Sequence, residues 1–355
     1  MEKEKLNTAK TITIYDIAKE AGVSASTVSR VLNGSASVRK EKKERIQKII
    51  EKYNFKPNAL AKGLSDTATK TIGVIAADIR NPFYASLFVA CELAAEKAGY
   101  SVVLANSLGV KEREVNQLDY LMQQRVDAII QIGGRVDDLV TDDFYAGKLR
   151  DICKTTPVVV TGKIDKAPVY SVAIDQTRAM DIIMEHLIDL GHEKIAVVGG
   201  LMSVVSTYNK YNSYVGNLKK HGIKVRGEYV INGNYDPVSG YEGTNTLLDL
   251  EERPTAIVAI NDFAASGALR SIREHHLRVP EDISVVSFDN TYTADVLYPK
   301  LTSVDYDYDH FGKLLVDTAV SVIKGEIIED VQMVEPMLII RESTGKAALN
   351  NLKIV

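Results

Sequence analysis

The sequence predicts an α/β protein, with a three-helix head ahead of a body of two doubly wound parallel-sheet subdomains. Three observations carry that prediction. The 355 residues exceed one ordinary domain and suit two or three. Positive charge gathers at the N-terminus: residues 1–65 hold 14 Lys or Arg against 7 Asp or Glu, and the remainder holds 29 against 40. From Thr71 onward, short apolar runs alternate with helical stretches, which is the pattern of parallel sheets covered on both faces.

The head comes first. In Thr13-Ile14-Tyr15-Asp16 the threonine hydroxyl can cap a free backbone N–H, with an acid in the first turn. Ile14, Ile17, Ala18 and Ala21 continue as one apolar stripe, and Gly22 ends the helix at little steric cost. Ser24 can cap a second helix whose buried face is Val28, Val31 and Leu32, closed by Asn33-Gly34. Two short helices joined by a tight glycine turn form a helix-turn-helix, which places its second helix for a DNA major groove. That explains the small residues in "AGVSASTVSRVLNG". Ala25, Ser26 and Thr27 let the backbone approach base edges, and Arg30 is the natural donor to a guanine. A third helix from about Arg39 carries Ile46, Ile49, Ile50 and Tyr53 toward the head's core. Its Lys40, Lys42, Lys43, Arg45 and Lys48 remain solvated or reach phosphates, which adds affinity without specificity. A polar helix face is the plain alternative, but stripe, caps and local charge together favour double-stranded DNA.

The segment "TIYDIAKEAGVSASTVSRVLNG" is succeeded by "YNFKPNALAKGLSDTATKTIGVIAADIRNPFY". With head, linker and body in that order, the chain resembles the LacI/GalR family of bacterial transcription regulators over residues 11–345. The resemblance implies a DNA-binding domain at 11–56, a hinge helix at 57–70, and a periplasmic-binding-protein-like body at 71–345 for effector binding and dimerisation. Thr13, Tyr15, Ser24, Asn33 and Leu64 then join Ala25, Ser26, Thr27 and Arg30 as DNA contacts. Leu64 would wedge into the minor groove, since an apolar side chain that unstacks a base step bends the duplex against more protein. One departure is Arg39, where relatives usually cap the third helix with serine.

In the body, the strand candidates are "TIGVIAA", "YSVVLA", "AIIQI", "PVVVTG", "YSVAID", "KIAVVGG", "TAIVAI" and "ISVVSFD", separated by helical segments. So many strands would crowd one sheet, hence two subdomains. The resemblance assigns 71–168 and 303–330 to the first, and 169–302 and 331–345 to the second. A ligand belongs in the cleft between them, at the carboxyl ends of the strands. Phe83 and Tyr84 could stack on a flat apolar face, while Asp175, Asn261 and Asp289 end strands and could pair with hydroxyls. Asn261 and Asp289 could merely cap the helices that come next. The resemblance favours the ligand reading, adds Tyr235, and points to a sugar or sugar phosphate. Lys210 stands where sugar-binding relatives usually carry arginine, with Ser213 in place of the glycine three positions later. A point charge cannot make arginine's two-pronged contact, so the site is expected to be altered.

The implied protein is a cytoplasmic, homodimeric repressor controlled by an effector. "KAALNNLKIV" after Gly345 is too short for a tetramerising helix. An alternative is a catabolite-type regulator answering chiefly to a phosphorylated carrier protein; no clear arginine pair stands near Tyr298-Pro299-Lys300, so it ranks second. A solute-binding protein without regulation ranks lower, because the head is present and the first ten residues lack a secretory pattern. No membrane-length apolar run, cofactor motif, metal-ligand spacing or catalytic constellation occurs, so neither cofactor, metal, membrane nor enzyme is expected. Cys91 and Cys153 read as buried thiols of a reducing compartment.

Overall fold

The computed structural model describes residues 12–32, 38–53, 55 and 68–347. It divides into two compact units, Met1–Thr69 and Lys70–Val355. Asn33, Leu64 and most of the expected hinge lie outside the described residues.

The head comprises α1 (Ile14–Ala21), α2 (Ala25–Leu32) and α3 (Lys40–Lys52). Thr13 and Asp16 form a reciprocal capping box at α1, and Gly22 closes it in the left-handed conformation at φ 61°, where a Cβ would be strained. Ile17, Ala18, Ala21, Val28, Val31, Ile46 and Ile49 make the buried core. Tyr53 does not join them: it ends α3, remains 38% exposed, and carries the Lys52 ammonium 4.7 Å above its ring. Phe55 packs on the core instead. Arg39 precedes α3 without a side-chain cap, as its guanidinium has no acceptor to offer.

The first sheet of the body contains β1 (Thr71–Ala76), β2 (Ser101–Asn106), β3 (Ala128–Ile132), β4 (Val158–Val160), β5 (Tyr170–Ile174) and β11 (Val331–Val334), in the order β11-β5-β4-β3-β1-β2. All its pairs are parallel. The second contains β6 (Ile195–Val198), β7 (Val230–Ile231), β8 (Ala256–Ala259), β9 (Ser284–Phe288), β10 (Thr302–Asp305) and β12 (Met337–Ile339), in the order β12-β10-β9-β8-β6-β7. Only β12 runs antiparallel to its neighbour. The central strands are buried on both faces, which is why they read as unbroken apolar runs. The helices are α4 (Pro82–Lys97), α5 (Lys111–Gln123), α6 (Asp143–Ile152), α7 (Gln176–Asp189), α8 (Val205–Lys220), α9 (Pro237–Leu248), α10 (Asp262–Glu274), α11 (Tyr292–Val296) and α12 (Tyr308–Ile323).

The first crossing falls a few residues from the expected one. β5 pairs with β4 and β11, so 170–174 belongs to the first sheet, and the chain leaves it at Asp175 rather than after residue 168. The return comes after Asp305, because β10 pairs with β9. Val331–Val334 also belongs to the first sheet, not the second. It is a short edge strand with alternating exposure, too weak a pattern to assign from sequence. Among the described residues no helix is long and apolar enough to cross a membrane, and no metal-binding group of side chains occurs. Burial pushes the Cys91 thiol up to about 12 and Cys153 up to about 11, leaving both unreactive.

Candidate functional sites

The first site is the outer face of α2. Ser24 accepts the Thr27 amide at 3.3 Å, and its hydroxyl shares hydrogen bonds with Ser26 at 2.8 Å and Thr27 at 2.9 Å. Val28 and Val31 fix the inner face in the core, so Ser26 and Arg30, one turn apart, are exposed on the other. Thr13 and Tyr15 are exposed at the start of α1. Ala25 is half-buried against the core. All five basic residues named on α3 and at its start are exposed. The N-terminus of α2 adds backbone N–H donors, a setting that favours phosphate.

The second site is the body's cleft. Asn81 caps α4 by accepting the Phe83 amide at 3.1 Å, which sets Phe83 and Tyr84 in the helix's first turn. Phe83 lies edge-on to Tyr84 at 5.2 Å, to Tyr308 at 5.9 Å and to Tyr306 at 6.3 Å. Gly133, at φ 71°, leaves room for the Tyr84 hydroxyl, which lies 2.5 Å from where a Cβ would stand. Tyr84 feels the charges of Asp137, Asp289 and Glu114, and burial drives its own ionisation well up. Elements of both subdomains therefore converge here.

From the second subdomain, the Tyr235 hydroxyl bonds Thr207 at 2.7 Å and accepts the Leu201 amide at 3.4 Å, while burial raises it to about 12. Lys210 is buried on α8 with its ammonium 3.8 Å from the centre of the Phe288 ring. Burial lowers its proton affinity, against the pull of Asp289, Asp137 and Asp262. Asp289 comes directly after β9 at φ 96°, a strained backbone for a non-glycine residue. Burial raises its carboxyl, Lys210 opposing and Asp262 reinforcing. Asp262 is tied down: it accepts from the hydroxyls of Ser287 (2.5 Å), Ser303 (2.7 Å) and Thr291 (3.0 Å) and from the Thr291 amide (2.7 Å).

Phe83, Tyr84, Lys210, Tyr235 and Asp289 are thus brought into one neighbourhood. Asn261 borders it but is occupied, capping α10 through Ala264 at 2.8 Å and donating to the Tyr235 carbonyl at 3.2 Å. Asp175 caps α7 by accepting the Arg178 amide at 2.9 Å. Sequence reasoning misses Asp137, Thr207, Asp262, Tyr306 and Tyr308. For the tyrosines no periodic signal exists: Tyr306 follows β10 and Tyr308 opens α12, with Asp307 between them in the left-handed conformation at φ 47°. Elsewhere, the Lys300 ammonium pairs with Asp295 at 2.8 Å beside an exposed Tyr298.

A basic helix-turn-helix and a two-lobed body with a polar cleft define a regulator that joins DNA binding to ligand binding. Residues 13–58 match the lacI family of bacterial regulatory proteins, and 184–344 match a periplasmic binding protein-like domain. The chain is 36% identical to Catabolite control protein A of Priestia megaterium over 82% of its own length and 87% of the relative's. It is 32% identical to the HTH-type transcriptional repressor PurR of Mannheimia succiniciproducens, over 95% and 99%. The lac repressor dimer bound to operator and the anti-inducer ONPF superposes with a TM-score of 0.84 at 29% identity, covering 95% of this chain and 100% of that one. The chain belongs to the LacI family; it is a transcriptional repressor and not an enzyme.

Proposed function

We propose that the protein dimerises on a near-palindromic operator and is controlled by an unphosphorylated sugar held in the cleft. The observation that supports this most is the charge balance around Lys210. One ammonium lies among Asp289, Asp137 and Asp262, whose carboxyls burial raises, so the site offers donors and acceptors to neutral hydroxyls and no excess of positive charge to a phosphate dianion. Aromatic rings at Phe83 and Tyr84 offer faces for ring C–H groups. The buried hydroxyls of Tyr306 and Tyr308 lack partners among the described residues, and a sugar would supply them. A neighbouring fold, TM-score 0.69 at 27% identity over 94% of this chain and 99% of that one, is a transcriptional regulator CelR–cellobiose complex.

A thermal-shift screen of neutral mono- and disaccharides against their phosphates tests this. A ligand at a hundred times its dissociation constant adds about 2.7 kcal/mol. Stabilisation by a neutral sugar is expected; stabilisation by phosphates alone contradicts the reading. The likeness to Catabolite control protein A supports a second reading, control by a phosphorylated carrier protein, and adding that carrier to operator-binding assays without sugar separates the two. With the sugar found, Tyr308→Phe is expected to leave the unfolding midpoint unchanged and weaken the sugar about tenfold, the worth of one hydrogen bond, as measured by calorimetry.

A further inference from the structure

Helix α8 starts without a side-chain cap of its own. Val204 occupies the cap position and supplies no acceptor, although a helix start leaves backbone N–H groups without intrahelical partners. The acceptor comes from the other subdomain. Asp137, which ends the 3-10 turn Gly134–Asp137 after β3, accepts the Ser206 amide at 3.3 Å through one oxygen and the Ser206 hydroxyl at 2.5 Å through the other. Two backbone contacts flank this pair. The Leu139 amide donates to the Ser203 carbonyl at 2.8 Å, and Asp138 forms an antiparallel bridge with Val204.

The turn that presents Asp137 is itself anchored. Buried Glu114 accepts the Arg135 amide at 3.1 Å and the Gln131 side chain at 3.1 Å, and Tyr145 donates to Gln131 at 2.6 Å. Arg135 pairs with Asp142 at 3.1 Å. The carboxylate is thus held by one subdomain and bonded to the helix of the other, whose Ser206 lies about one turn ahead of Lys210. We propose that Asp137 is a positioning residue that caps α8 from across the cleft, fixing the helix that carries Lys210 and latching the two subdomains closed.

This goes beyond the sugar reading and holds whichever ligand the cleft takes. The groups facing Asp137 are Lys210, which attracts its charge, Asp138, which repels it, and the hydroxyls of Tyr84 and Tyr235. Burial dominates and raises its carboxyl to about 6, against the Ser206 hydrogen bonds. A folded-state pKa above the ordinary carboxyl value contributes stability that is present at low pH and lost as pH rises through about 6. Asparagine, neutral and of the same shape, copies the protonated form.

Amide exchange of the first turn of α8, in the full-length protein at pH 5.5 and 7.5 and corrected for intrinsic rates, tests the assignment. Asp137→Ala should exchange about five- to tenfold faster there at pH 7.5, the effect of a lost cap, with β8 unchanged. Asp137→Asn should stay as slow as wild type or slower at pH 7.5, and lose the wild type's dependence on pH. Wild-type exchange in Asp137→Ala, or exchange in Asp137→Asn as fast as in Asp137→Ala, overturns the proposal. Should Asp137→Ala not fold, Ser206→Ala replaces it: exchange several-fold faster supports the cap, and an unchanged rate overturns it.

Discussion

Replacing Arg30 by alanine is expected to abolish discrimination between operator and random DNA while leaving salt-sensitive binding in place. Arg30 is exposed on the outer face of α2, one turn from Ser26, and the core residues Val28 and Val31 fix that face. A bidentate contact to a guanine edge discriminates by about 1–3 kcal/mol. A two-fold dimer makes it twice, so the operator loses about 2–6 kcal/mol, roughly thirtyfold to more than ten-thousandfold. Nonspecific binding depends on phosphate contacts, which the exposed Lys40, Lys42, Lys43, Arg45 and Lys48 still supply. Competition gel shifts at two salt concentrations separate the two contributions. A variant that keeps its operator preference would show that another residue reads the sequence.

Lys210→Met is expected to destabilise the body strongly at pH 8 and weakly at pH 5.5. Lys210 is the cation that faces Asp289, Asp137 and Asp262 in the buried cleft. Methionine fills its volume but strands the carboxylates, and removing one partner of a buried charge pair costs about 3–5 kcal/mol. The pH dependence comes from Asp289 and Asp137, whose carboxyls burial raises. A folded-state pKa above the unfolded value contributes stability at low pH that is lost as pH rises through it. At pH 5.5 the protonated acids no longer need the ammonium, so the substitution costs little. Urea midpoints across this range measure the difference. An equal loss at both pH values would mean that Lys210 acts by packing rather than by charge.

The head is almost wholly legible in the sequence, because its signals are local. Thr13 and Asp16 three residues apart make the capping box, Gly22 sits at a positive φ, and the apolar spacing places the core. Tyr53 is the exception, since periodicity continues past the point where the helix ends. The strands of the body are legible too, as buried parallel strands are continuous apolar runs. Their assignment to sheets is less so, because Tyr170–Ile174 and Val331–Val334 pair with each other across a long stretch of chain.

The cleft divides the same way. Residues that end strong strands, such as Asp289, or open helices, such as Phe83 and Tyr84, can be named from their positions. Asp137 cannot: it sits in a 3-10 turn with no periodic signal, and its partner Ser206 comes from the other subdomain. Asp262 is hidden by being the first residue of a helix, where an acid is ordinary. Its four donors come from Ser287, Thr291 and Ser303, a convergence that only the folded chain creates.

Selection of short duplexes from a random pool by the purified full-length protein, with and without neutral sugars, measures the coupling of the two sites most directly. The enriched sequences should share an inverted repeat, matching a two-fold pair of recognition helices, and a sugar that stabilises the body should change how much of that repeat is retained. Enrichment of no repeat under any condition, or retention untouched by every ligand that stabilises the body, would contradict it.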